Sequence, residues 1–134
     1  MHAAQLYSHF EWEVPPLEPY SIGLCYAVHA LLLFDIWMFP IQTTLGEVLR
    51  CSPPQEKGGD PGLFFRRCVD LDTQSFLQPQ PEDLYQMLLQ GPVLVGTRNH
   101  ALTLKGFNPH QWLLVDTEPI ALPRNYTFDY ALGI

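Results

Sequence analysis

The sequence predicts an α+β domain, with helices in the first half of the chain and an antiparallel sheet built from the last third. Two observations carry this. Leu24, Val28, Leu31, Leu32 and Ile36 recur at helical intervals, whereas "PVLVGT", "HALTLKGF" and "QWLLVDT" after Gly91 are strand-like runs parted by turn residues. Helices and strands that are segregated rather than alternating indicate a meander with helices packed on it, not a doubly wound sheet. At 134 residues, 47% of them hydrophobic, the chain can bury one core, so residues 1–134 are expected to form a single domain.

Each element has its local reason. Residues 1–19 end in "VPPLEP" and read as an extended arm, because the prolines exclude regular helix. Ser21 can cap the first helix, which must stop before Pro40. "TTLGEVLR" predicts a short second helix capped by Thr43 or Thr44. "CSPPQEKGGDPG" reads as a mobile surface loop, and "LFFRRCVDL" as a strand. "QPQPEDLYQMLLQG" predicts a helix with acidic residues in its first turn and Gly91 as its stop. Gly106 to Gln111, containing "NPH", supplies the turn between the last two predicted strands.

Composition narrows the function. Seven basic against fourteen acidic residues give a net charge of −7, the wrong sign for a partner bound through its phosphate backbone, so no nucleic acid is expected. The apolar stretch from Ala27 to Pro40 is interrupted by His29 and Asp35 and is too short to span a membrane. No signal-peptide pattern opens the chain. Cys25, Cys51 and Cys68 show no paired-cysteine motif; the odd count suggests free thiols and a reducing compartment, or a specialised cysteine. The spacing leaves one disulfide open, Cys51 with Cys68.

Three residues carry candidate chemistry. Cys25 stands at the front of the first helix, where the partial positive charge of the terminus favours a thiolate. A lone helical cysteine is more often simply packed, so the residue needs partners. His100 opens the second strand and Asp116 closes the third. In an antiparallel pair joined by a short turn these two lie at the same end, within side-chain reach. A carboxylate there would orient an imidazole, and the imidazole would deprotonate a thiol. His29 lies one helical turn after Cys25, but a metal needs three or four ligands and no matching pair appears, so no metal and no cofactor are expected. His2, His9 and His110 fall in the arm and a turn, and Asp70 and Asp72 read as a solvated edge.

"SIGLCYAVHALLL", "PEDLYQMLLQGPVLVGTRNHALTLKGF" and "QWLLVDTEP", in that order, resemble the papain-like cysteine proteases in their compact bacterial form. That form includes C39-like peptidases and effector proteases of the AvrRpt2 type. The family's cysteine followed by an aromatic matches Cys25 and Tyr26. Its glycine-proline and asparagine-histidine motifs match Gly91-Pro92-Val93 and Asn99-His100-Ala101, and its tryptophan-bearing strand matches Trp112 through Asp116. The resemblance implies a papain-like minimal core, an N-terminal helix packed on a C-terminal antiparallel sheet. It also implies a Cys25–His100–Asp116 triad cleaving a peptide through a thioester. The chain departs from the family in two ways. In papain-type enzymes the histidine follows the cysteine by about 130–150 residues, and here the two are Cys25 and His100. The glutamine that helps hold the oxyanion is missing: Pro19 and Tyr20 stand there, leaving the Cys25 N–H and the Tyr20 hydroxyl as candidate donors.

By fold-level analogy the resemblance extends to toxin modules of bacterial secretion-system effectors. Such a module would be secreted by a specialised system without a signal peptide and would act on proteins in the target-cell cytoplasm. Its partners would be a protein or peptide substrate and a cognate immunity protein, with no membrane role. The alternatives are peptidoglycan peptide hydrolysis or protein deamidation by the same triad, and a catalytically degenerate C39-like module that only binds peptides.

Overall fold

A computed structural model describes residues 9–21, 23–56 and 58–134. Residues 1–8, with His2 and the start of the predicted arm, lie outside the described residues, as do Ile22 and Lys57. The chain divides into two compact units, one of residues 1–19 and 75–133, the other of residues 20–74 with Ile134.

The first unit is the sheet. Its strands are β1 (Phe10–Glu11), β2 (Gln74–Leu77), β3 (Val93–Thr97), β4 (His100–Phe107), β5 (Gln111–Val115), β6 (Pro119–Pro123) and β7 (Tyr130–Gly133). They run in the order β2-β7-β3-β4-β5-β6, with β1 paired to β4. The meander β3-β4-β5 forms as its sequence predicts. Arg98 and Asn99 make the tight turn that pairs Thr97 with His100, and the Thr97 hydroxyl donates to the His100 carbonyl at 3.1 Å. The Asn108 carboxamide oxygen accepts from the His110 and Gln111 N–H groups, fixing the second turn. The predicted helix over "PEDLYQML" is observed at Pro81–Leu88, where Asp83 accepts the Gln80 N–H at 2.9 Å. Its Leu84, Tyr85, Met87 and Leu88 pack with Val93, Leu104, Phe107, Trp112, Leu114 and Phe128 into one buried core. Arg124 lies over that core's rim, 4.8 Å from the Phe107 and Trp112 ring centroids and 5.0 Å from that of Tyr85.

Residues 12–20 form no regular element, as expected of an arm, but the arm is not loose. Phe10 pairs with Phe107 and Glu11 with Gly106. Gly106 is needed there because a Cβ would come within 2.1 Å of the Phe10 carbonyl oxygen.

The second unit is helical: α1 (Cys25–Trp37), α2 (Leu45–Cys51), α3 (Pro61–Phe64) and a π-helical segment Phe65–Val69. The predicted second helix is present, and Thr44 caps it by accepting the Glu47 N–H. Three expectations are corrected. "LFFRRCVDL" is helical rather than a strand, started by Asp60, whose carboxylate accepts the Gly62 N–H, with Pro61 in the first turn. That helix takes in the last two residues of the predicted loop, Pro61 and Gly62. Cys51 and Cys68 are joined as a disulfide, so the expectation of three free thiols does not hold.

The third correction concerns α1. Its buried residues are Tyr26, Ala27, His29, Ala30, Leu33 and Phe34, not the predicted stripe from Leu24 to Ile36. The helix is apolar on nearly every side, so periodicity cannot choose a face. Ala27 and Ala30 allow close packing instead. Phe34, Phe64 and Phe65 stack edge to face, and the Tyr26 hydroxyl donates to the Ser52 carbonyl at 2.7 Å.

Candidate active site

Cys25 is the first residue of α1. Ser21 does not cap this helix. Its carbonyl accepts the Leu24 N–H and closes a turn in which Gly23 adopts φ +93°, a conformation that favours glycine. The capping position falls to Leu24, which has no side-chain acceptor. The first-turn amides therefore present their partial positive charge where Cys25 sits. Cys25 is half-buried and outside the disulfide. Next to it, the Tyr26 phenol is pushed up from its usual pKa, first by burial and then by the neighbouring thiol.

Tyr20 is also half-buried, and its ring meets the edge of His29 at 6.3 Å and 88°. His29, expected to be a partly buried helix residue, is completely enclosed.

The sheet unit holds the other two predicted residues and brings them together. His100 Nε2 lies 2.8 Å from Asp116 Oδ2, with the carboxylate 13% exposed and the imidazole 40% exposed. A carboxylate only accepts, so Nε2 donates and the neutral ring keeps its lone pair on Nδ1.

The pair exists because of a register shift. At the turn end, Phe107 faces Trp112 and Gly106 faces Leu113; beyond the shift, Leu104 faces Leu114 and Thr103 faces Val115. Lys105 is the extra residue, a β-bulge. Continuing the shifted register sets Asp116 opposite Leu102, which shares its face with His100 because side chains alternate. Without the bulge Asp116 would oppose Thr103 and point to the other face. Sequence reasoning found both residues but missed the bulge that makes them partners. Its trace in the sequence is the glycine at 106, a residue that marks bulges and close backbone approach.

As for metals, Glu47, Cys51 and Cys68 place ligand atoms within 4.8 Å of one another, but the two sulfurs are bonded to each other.

No protein-family model matches the chain, and a search of curated proteins finds no match. Solved structures do. A double glycine motif protease from an AMS/PCAT transporter, solved in complex with the leader peptide, has TM-score 0.68 and 16% identity over 92% of this chain and 91% of that one. The peptidase domain of Streptococcus ComA, a bi-functional ABC transporter involved in a quorum sensing pathway, has TM-score 0.60 and 12% identity over 94% and 96%. The fold is thus the expected α+β, papain-like core.

Proposed function

We propose that the chain is a cysteine peptidase in which Cys25 is the nucleophile, His100 the general base and then acid, and Asp116 the group that orients the imidazole. The observation that carries the reading is the His100–Asp116 hydrogen bond, which leaves Nδ1 as the basic nitrogen. The fold shared with two transporter peptidase domains supports it.

In this mechanism the Cys25 sulfur gives its proton to His100 Nδ1 and attacks the scissile carbonyl carbon. The carbonyl oxygen becomes an oxyanion, held by the Cys25 N–H and, in this proposal, the Tyr20 hydroxyl. Collapse breaks the carbon–nitrogen bond as His100 protonates the departing amine. Water, deprotonated by His100, then hydrolyses the thioester and restores the thiol.

The substrate class is a peptide, supported by the leader peptide bound to one structural neighbour. The finer reading is a toxin module delivered by a specialised secretion system, with an immunity protein as its partner. It rests on the family resemblance. The Cys51–Cys68 disulfide favours passage through an oxidising compartment over a purely reducing one.

The test is covalent labelling with an epoxide inhibitor of cysteine proteases, read by mass spectrometry. Labelling is expected on Cys25 and absent in His100→Ala. Peptide cleavage should vanish in both Cys25→Ala and His100→Ala. Folded protein that neither labels nor cleaves would leave a peptide-binding module. For the finer reading, expression in a bacterial cytoplasm should arrest growth, and Cys25→Ala should relieve the arrest. Arrest that persists in Cys25→Ala overturns toxicity by proteolysis.

A further inference from the structure

We infer that the N-terminal arm is a positioning strap for the His100–Asp116 pair, clamping both the bulge that sets its register and the Asp116 backbone. The catalytic consequence rests on the peptidase reading; the geometric one does not.

The arm meets the pair's support at two places and is anchored between them. At the bulge, the Lys105 carbonyl accepts the Trp12 N–H at 2.8 Å, and the Lys105 ammonium lies 2.9 Å from Glu11 Oε2. Lys105 is the residue the β4–β5 register skips, so these bonds come from outside the hairpin. At the Asp116 backbone, the Leu17 N–H donates to the Asp116 main-chain carbonyl at 2.7 Å, while the Asp116 N–H donates to the Glu118 carbonyl at 3.1 Å. Between these two points the arm is anchored to the sheet unit: the Trp12 indole donates to the Leu88 carbonyl at 2.7 Å, and Val14 is 5% exposed.

A bulge allows two registers that differ in which face Asp116 takes, and hydrogen bonds to the extra residue favour one of them. The arm supplies such bonds. Asp116 follows the last residue of β5, where strand ends fray, and the Leu17 bond holds its backbone while the side chain reaches His100. Leu17, with Glu11 and Trp12, is therefore a positioning residue.

The experiment removes one N–H. Leu17→Pro deletes the donor, and Leu17→Ala keeps it. An imidazole N–H bonded to a carboxylate gives a slowly exchanging, far-downfield proton resonance, assigned here by its loss in Asp116→Ala. That resonance is expected in the wild type and Leu17→Ala, and lost or broadened in Leu17→Pro. On a cleavable peptide, Leu17→Pro should lower kcat by about 10-fold with KM unchanged, the scale of one hydrogen bond. If Leu17→Pro does not fold, an amide-to-ester replacement at the same bond removes the N–H with less disturbance. A resonance that persists in the proline or ester form overturns the strap. Loss of the resonance in Leu17→Pro, alongside a wild type that shows it but cleaves no peptide, would uphold the strap and reject the peptidase.

Discussion

Removing the Cys51–Cys68 disulfide should cost the protein about 3 kcal/mol, the loop-closure entropy for a crosslink of this span. The two cysteines are 17 residues apart in sequence, and they bind the end of α2 to the π-helical segment. Cys51 is buried and Cys68 exposed, so the suitable double variant is Cys51→Ala with Cys68→Ser, which avoids burying a hydroxyl. For a chain of this size the loss corresponds to a melting temperature lower by roughly 10 °C. Thermal melts with and without a phosphine reductant measure it: the wild type should fall toward the variant on reduction, and the variant should not respond. Thiol counting under denaturing conditions should find one thiol before reduction, Cys25, and three after. A wild type and variant that melt together without reductant would refute the entropic argument. Three thiols before reduction would refute the crosslink itself.

Other predictions concern charge and close packing. Burial pushes the Asp35 carboxyl above its usual pKa, against a smaller lowering by the Thr43 N–H. The folded state thus holds this proton more tightly, and the resulting stability, present below the unfolded pKa, is lost as pH rises through the folded one. Denaturant unfolding of Asp35→Asn should therefore gain on the wild type as pH rises above that range. Glu11 is shifted the other way, held below its usual value chiefly by the Lys105 hydrogen bond and then by His9. Its contribution is present above the ordinary carboxylate pKa and lost as pH falls through the depressed one, so a Glu11→Gln deficit seen at neutral pH should vanish in acid. Gly96→Ala in β3 would place a Cβ 2.0 Å from the ring of Tyr130 in β7. It should cost about 1–3 kcal/mol in denaturant unfolding, and Tyr130→Ala should restore part of the loss in the double variant.

Where local chemistry decided structure, the sequence was readable. Thr44 and the acidic residues Glu82 and Asp83 marked helix starts, and the strand-like runs after Gly91 gave β3 to β5, while the helix before them ends at Leu88, short of the glycine read as its stop. Strand order placed His100 and Asp116 at one end of the hairpin, but the bulge that turns them to one face was not read. Packing hid the rest. Phe64 and Phe65 look like strand residues, yet the Asp60-Pro61 start makes them helical, and that signal was present to be read. The segment Pro119–Pro123 was not read as a strand; it forms β6 at the sheet's edge, where proline is tolerated. The buried face of α1 had no signature, because a helix apolar all round is oriented only by what packs against it. The arm's hydrogen bonds to the Lys105 and Asp116 carbonyls run between backbone groups, which every sequence possesses.

The Lys105 bulge makes length in this hairpin quantised. A residue added within the Asn108–His110 turn is looped out and leaves every pair above it unchanged. A single residue added or lost between His100 and Lys105 in β4, or between Gln111 and Asp116 in β5, exchanges inside for outside and separates imidazole from carboxylate. Two residues restore the parity. The hairpin thus tolerates odd changes at its tip and only even ones along its legs, a rule that a grafted loop or a shuffled strand must respect if the pair is to survive.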